Sequence, residues 1–200
     1  MTAPDRRKVI EDGATDVFGE RGYHGASIEE IARRSGVTVP VIYDHFASKR
    51  DLYQRLIERH YAELRSIWFE HTAQGAALGD WIATAIGAWF GYIEHHPFAG
   101  RMLFRDTTGD PDIEAAHRVM RDRSRDELLP LVVELASPHL DLSEPYAVEL
   151  AWETMRAVLQ GLALWWYDHP DVPRDAIVAS AMNSIWVGFE RFLAGDVWKA

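Results

Sequence analysis

The chain has no cysteine. That excludes a disulfide framework and any thiolate metal site, and it fits a reducing compartment. It has no apolar run as long as a membrane span. Met1 to Lys8 is polar and charged, and no apolar signal core follows it. These absences predict a cytoplasmic protein with no membrane partner. The local marks of catalysis are missing as well. There is no His-x-x-x-His pair, no glycine-rich phosphate loop and no nucleophile beside a base. No enzymatic activity and no cofactor are expected. His95-His96 raises the question of a metal, but neighbours on a helix diverge by about 100° and seldom share one ion. A helix C-terminus, where the dipole favours imidazole, accounts for the pair, and no metal site is expected.

Positive charge is also scarce. The formal net charge is −10, with 21 Lys and Arg against 31 Asp and Glu. Residues 1–50 hold eight basic and eight acidic residues, so they are balanced, and all of the acidic excess lies in residues 51–200. An acidic body is repelled by phosphate, whereas a neutral head with its cations on one face need not be. The distribution permits nucleic-acid binding at the N-terminal end only. It equally describes an ordinary globular surface.

What is present is helix. Hydrophobic residues make up 48% of the chain, enough for a real core, and they recur at intervals of three and four. A first helix is predicted from Asp5 to about Arg21, with Val9, Ile10, Ala14, Val17 and Phe18 on one face and Gly22 and Gly25 ending it. Ser27 with Glu30 forms a capping box opening a second helix, which buries Ile28, Ile31 and Ala32 and stops at Gly36. Thr38 caps a short third helix that tolerates Pro40 in its first turn and points Ile42 and Phe46 inward. Ser48 caps a long helix to about Ala73. After a small, Gly-rich break at 74–79, helices follow over 80–95, 98–105, 111–135, 143–167 and 174–193.

Residues 27–46 carry the functional signal. Two short helices joined by Ser35-Gly36-Val37 have helix-turn-helix spacing. Ala32 is small where the helices cross, and Val37 is apolar where the turn meets the core. Thr38, Val39, Pro40, Tyr43 and Asp44 fall opposite Ile42 and Phe46. The Tyr43 phenol can bond a phosphate, and His45 and Lys49 stand where donors reach a sugar-phosphate backbone. Ser27 and the helix N-terminus behind it offer N–H groups and a positive dipole end to another phosphate. Arg33 and Arg34 suit a solvated face as well as a DNA contact, and a helix pair of this kind also occurs as plain bundle packing.

The run from Ser27 to Lys49 resembles the DNA-binding domain of the tetracycline-repressor (TetR) family. The resemblance lies in its small residue, Gly, Val, Ser/Thr, then Tyr43-Asp44-His45-Phe46 and Ser48-Lys49. Phe18, Gly22 and Tyr23 extend it over about the first sixty residues. It implies an all-α fold of about nine helices. A three-helix head (1–50) would be joined by a long helix to a larger effector-binding and dimerisation domain (51–200). It implies a homodimeric regulator of double-stranded operator DNA, most simply a repressor released by a small-molecule effector. Thr38, Val39, Pro40 and Tyr43 would lie in or beside the major groove, with Ser27, Tyr43, His45 and Lys49 on phosphates. Val39 and Pro40 depart from relatives with Arg or Lys there. Thymine-methyl contact and DNA shape are therefore expected to contribute more than hydrogen-bonded base reading.

All eight tryptophans lie in the C-terminal part. Aromatics at helical spacing usually build core, yet Trp89, Phe90, Ile93, Phe104, Met120, Trp152 and Met155 could line a pocket for a hydrophobic or aromatic effector. His117, Glu153 and Arg156 are its candidate polar groups. Helices 143–167 and 174–193 are apolar on more than one face. Val158, Gly161, Leu162 and Trp165 form one stripe; Ile177, Ala181, Ile185, Gly188 and Phe192 form another. One side can serve the core and the other a second protomer. A helical enzyme or a helical interaction protein without DNA binding is the alternative; neither needs the exposed run from Tyr43 to Lys49.

Overall fold

The structure, a computed structural model, describes residues 3–70, 78–105, 110–136 and 146–187. Among these residues every regular element is helical. In chain order they are α1 (Ala3–Gly25), α2 (Ile28–Ser35), α3 (Val39–His45), α4 (Lys49–Glu70) and α5 (Leu78–His95). Then come α6 (Pro97–Phe104), α7 (Pro111–Ala136), α8 (Ala147–Tyr167) and α9 (Arg174–Met182), with a π-helical turn at Asn183–Val187. Among the described residues no helix is long and apolar enough to cross a membrane.

The chain packs as two compact units. The first comprises Met1–Glu63 and His96–Arg121, the second Leu64–His95 and Asp122–Ala200. α4 and α7 each contribute to both. Packing therefore joins α6 and the start of α7 to the three N-terminal helices, whereas the expected boundary after residue 50 follows the helix-turn-helix spacing alone.

In the first unit α1 buries Ile10, Ala14, Val17 and Phe18. Val9, expected on that face, is 39% exposed; the buried stripe runs 10, 14, 17, and one residue back is about 100° off it. Helix α1 does not end at Gly22. That glycine takes φ 72° and ψ 172°, kinks the helix, and a further turn runs to Gly25. Gly19 lets α1 meet α6 closely: a Cβ there would stand 2.6 Å from the Phe98 carbonyl oxygen and 2.9 Å from its Cα. Rings of Phe18, Tyr23, Tyr53 and His117 pack edge to edge behind this crossing.

Two buried histidines sit in this core. The Thr15 hydroxyl donates to the Glu11 carbonyl at 2.9 Å, so its one proton is used. His60 Nε2, 3.0 Å away, must then be the donor to Thr15 Oγ1. Burial, with Arg59 and His96 nearby, lowers the His60 pKa to about 3. His117 Nε2 lies 3.1 Å from the Tyr53 hydroxyl. Burial, with Arg121 nearby, lowers its pKa to about 4. The Tyr53 hydroxyl donates to the Met102 carbonyl at 3.5 Å, and burial raises the phenol's own pKa.

In the second unit α5 buries Trp81, Ala85, Ile86, Trp89, Phe90 and Ile93. The spacings of three and four place them on one side. α8 adds Trp152, Leu159, Ala163 and Trp166, and α9 adds Ile177 and Ala181. The loop from α8 to α9 is held by Trp166, whose indole donates to the Val172 carbonyl at 2.8 Å. Arg174 anchors the start of α9 to Glu94 of α5 at 3.0 Å. α8 starts at Ala147, after Tyr146 in a left-handed conformation; the expected cap, Ser143, lies outside the described residues. The last helix leaves α geometry at Asn183 for the π turn, and Gly188 and Phe192 lie outside the described residues.

Two outcomes follow. Gly19→Ala forces a methyl into the Phe98 backbone and is expected to cost about 1–3 kcal/mol in urea unfolding. Both histidines stay neutral when folded and take a proton when unfolded, near pH 6.5. Their contribution is complete above that pH and is lost as pH falls from about 6.5 toward 4. The urea midpoint should fall across that window, and less steeply in His60→Gln.

Candidate nucleic-acid interface

The turn between α2 and α3 is closed by backbone chemistry. Gly36 has φ 65° and ψ 31°, a left-handed state that a side chain resists. Its N–H bonds the Arg33 carbonyl at 3.3 Å, and the Val37 N–H bonds the Ala32 carbonyl at 3.0 Å. This double bond pattern is the Schellman ending, in which Val37 folds back toward Ala32. It aims α3 away from α2 at a fixed angle. Ile42 is then fully buried and Phe46 is 1% exposed, while Tyr43 is 51% exposed. Thr38, Pro40 and Asp44 are exposed beside Tyr43, and Val39 and His45 are half-buried. Thr38 occupies the N-cap position of α3 but its side chain makes no capping bond.

At the start of α2 the Ser27 Oγ accepts the Glu30 N–H at 3.1 Å. The return half of the expected capping box is not made. The Glu30 carboxylate turns instead to Arg21 and Arg33, each at 3.6 Å. Ser27 is exposed, and its hydroxyl hydrogen is still available to donate. At the start of α4 the Ser48 Oγ accepts the Asp51 N–H at 3.0 Å, and the Asp51 carboxylate accepts the Ala47 N–H at 3.0 Å. That reciprocal cap fixes the chain where it leaves α3.

Lys49 is placed differently from a free phosphate ligand. Its Nζ donates to the Ala26 carbonyl at 2.7 Å and lies 4.6 Å from the centre of the Tyr23 ring. Partial burial lowers its pKa. The ammonium thus ties the first turn of α4 to the residue preceding Ser27, with a ring beneath it. Sequence reasoning had no access to the Ala26 and Tyr23 partners, because neither lies near Lys49 in the chain. The other cations of the head are largely neutralised. Arg34 is held by Glu20 at 2.8 Å and Asp16 at 3.6 Å, Arg59 by Glu11 and Asp12, and Arg50 by Asp110 and Asp112. Arg33, paired with Glu30, keeps its side chain 80% accessible. Arg7 lies over the Phe46 ring at 5.3 Å and pairs with Glu11, holding the buried end of α3.

Comparison with known proteins agrees with this geometry. Residues 10–56 match the family described as bacterial regulatory proteins, tetR family. The chain carries at its N-terminus a segment that matches the DNA-binding domain of the TetR family. It is a DNA-binding transcriptional regulator with an N-terminal helix-turn-helix. It is 29% identical over 187 residues to the HTH-type transcriptional activator FasR of Mycolicibacterium smegmatis, covering 92% of this chain and 83% of that protein. Its fold is similar to a TetR-like transcriptional regulator from Rhodococcus sp. RHA1, with a TM-score of 0.75 at 23% identity over 95% of this chain and 96% of that one. It is also similar to FadR from Bacillus subtilis, solved in complex with stearoyl-CoA, with a TM-score of 0.71 at 18% identity over 96% and 99% of the two chains.

The residues expected around an effector divide between the units of the regulator. Trp89, Phe90, Ile93 and Trp152 are buried in the second unit, with Met155 and Arg156 half-buried there. Phe104, His117 and Met120 belong to the first. The three expected polar groups are already engaged, His117 by Tyr53, and Glu153 and Arg156 by each other, with Gln160 also bonding Arg156. Of the expected interface residues, Gly161 and Trp165 are exposed, and Val158, Leu162 and Ile185 are half-buried. Ala181 is fully buried, so its methyl serves its own unit and not a partner. Leu150, which the sequence reading passed over, is 65% exposed. Among the described residues no group of three His, Asp or Glu side chains could hold a metal ion.

Replacing Lys49 by Met removes both the bond to Ala26 and the cation above Tyr23. The variant is expected to lose about 1–2 kcal/mol in urea unfolding. Unchanged stability would show that the ammonium is free to serve DNA alone.

Proposed function

We propose that the regulator is a homodimeric cytoplasmic repressor that grips operator DNA mainly through phosphates and is released by a small, largely apolar effector. The observation that carries the DNA part is the exposed Tyr43 on a helix whose opposite side is buried. Ser27, Tyr43 and His45 offer donors to phosphate, and Lys49 adds charge beside Ser27 while holding that segment in place. Thr38, Val39 and Pro40 enter the groove. Val39 and Pro40 carry no side-chain donor, so thymine methyls and DNA shape provide most of the discrimination there.

The dimer reading rests on α8. Leu150, Gly161 and Trp165 lie exposed on it, with Val158 and Leu162 half-buried beside them. Ile185, half-buried on the π turn, adds to these apolar side chains; Gly188 lies outside the described residues. Two recognition helices related by a two-fold axis fit successive major grooves.

For the effector, the apolar side chains of the second unit (Trp89, Phe90, Ile93, Trp152 and Met155) favour a hydrophobic compound. The FadR relative was solved with stearoyl-CoA, which supports an acyl compound. Helix α4 is continuous from Lys49 to Glu70, so one backbone runs from the head into the second unit. A ligand that alters its far end changes DNA affinity, and by linkage DNA changes ligand affinity by the same factor. Activation is the second reading, because the FasR relative is named an activator.

A mobility shift with DNA upstream of the regulator's own gene tests the proposal. Two protomers should bind one site, and Tyr43→Ala should weaken binding about tenfold, the loss of one charge-assisted bond and a buried ring edge. Unchanged affinity in Tyr43→Ala would count against this docking. Transcription in vitro from the same promoter separates repression from activation.

A further inference from the structure

Among the described residues three buried side-chain atoms have no hydrogen-bond partner: Ser35 Oγ, Arg65 Nη1 and Trp81 Nε1. A buried donor left unmade costs the full desolvation of that group. Ser35 has a local explanation. It lies where α1 and α2 cross at Gly13, and a Cβ on that glycine would stand 2.4 Å from its Oγ. The crossing leaves no room for a partner. The other two atoms lie in the second unit and have no such explanation.

Both are pure donors. Arg65 is 8% exposed. Its Nε is 2.9 Å from the Glu127 carboxylate, which leaves Nη1 as the unmet edge of the guanidinium. Trp68, three residues on, shares that side of α4. The Trp68 ring meets the Trp81 ring at 6.0 Å and 64°. Trp186, on the π turn, presses on Gly79, two residues before Trp81. Its indole lies 2.9 Å from where a Cβ on that glycine would be. π turns recur at functional sites. Arg65 is thus one helical turn from Trp68, whose ring meets that of Trp81, while the polar groups expected from the sequence are occupied elsewhere.

We infer that Arg65 and Trp81 hold the head of the effector, and that this head presents an acceptor oxygen, carboxylate or carbonyl, on an apolar body. The inference rests on the apolar-effector reading and adds to it the anchor and the head chemistry. Two donors cannot satisfy a cationic or donor-only head. Glu127 is shared between Arg65 and Arg123, so one positive charge is left over and a carboxylate fits as well as a neutral carbonyl.

The test is calorimetric titration of the full chain with decanoate, methyl decanoate and decyltrimethylammonium, which share one alkyl body. The two acceptor heads are expected to bind at least about tenfold more tightly than the cation. Trp81→Phe keeps a ring and removes the N–H; Arg65→Lys keeps the charge and removes the Nη1 edge. Each is expected to weaken the preferred acceptor ligand about fivefold or more, with an unchanged circular dichroism spectrum. A stronger response to decanoate assigns the head as carboxylate, and a stronger response to the ester assigns it as carbonyl. Wild-type affinity in both variants, as when buried water satisfies the donors, overturns the inference and leaves the apolar effector standing. Equal binding of all three ligands by the wild type overturns it as well. Binding of none of them removes the apolar-effector reading together with the inference.

Discussion

The left-handed glycine at position 36 is the constraint on which the DNA-binding head depends. Only its positive φ lets the Gly36 and Val37 N–H groups reach back to the carbonyls of Arg33 and Ala32. That closure sets the direction of α3. The direction decides that Ile42 and Phe46 enter the core, and therefore that Tyr43 leaves it. A helix of seven residues is too short to hold its shape alone. It keeps its place because both ends are tied, by the turn before it and by the Ser48–Asp51 cap after it.

Around that turn the head uses its charges on itself. Arg34, Arg50 and Arg59 each meet carboxylates, and Lys49 meets a carbonyl and a ring. These pairs are partly exposed and individually modest in energy. Their effect is positional: they fix α1 to α2 and the start of α4 to the loop before Ser27. A balanced head on an acidic chain has little long-range attraction for DNA. On the proposed docking its grip comes from a few donors correctly placed, Ser27, Tyr43 and Lys49 among them, more than from net charge.

The second unit shows the opposite economy. Trp68, Trp81, Trp89, Trp152 and Trp166 are buried there, and Arg123, Arg125, Arg156 and Arg174 each pair with a carboxylate. Polar groups that a pocket would use are therefore conspicuous when they lack partners. Glu153 and Arg156 look available on a helical wheel, yet they neutralise each other along α8. Arg65 looks like an ordinary helical arginine, yet it is buried with one edge unmet.

Local patterns were legible in the sequence. The run of caps and glycines from Ser27 to Ser48 located three helix boundaries, because capping and left-handed turns depend on residues within a few positions of each other. The spacing of Ile42, Tyr43 and Phe46 likewise predicted the inward and outward sides of α3. The division of charge between the head and the rest of the chain was available by counting. Tertiary structure alone decided which groups are taken. It closed Lys49 onto Ala26 and Tyr23, paired Tyr53 with His117 across more than sixty positions of sequence, and buried Ala181. It also left Arg65 Nη1 and Trp81 Nε1 without a hydrogen-bond partner. The physical reason is range: a helix writes its period into its own sequence, whereas a hydrogen bond between distant segments leaves no periodic trace in either one.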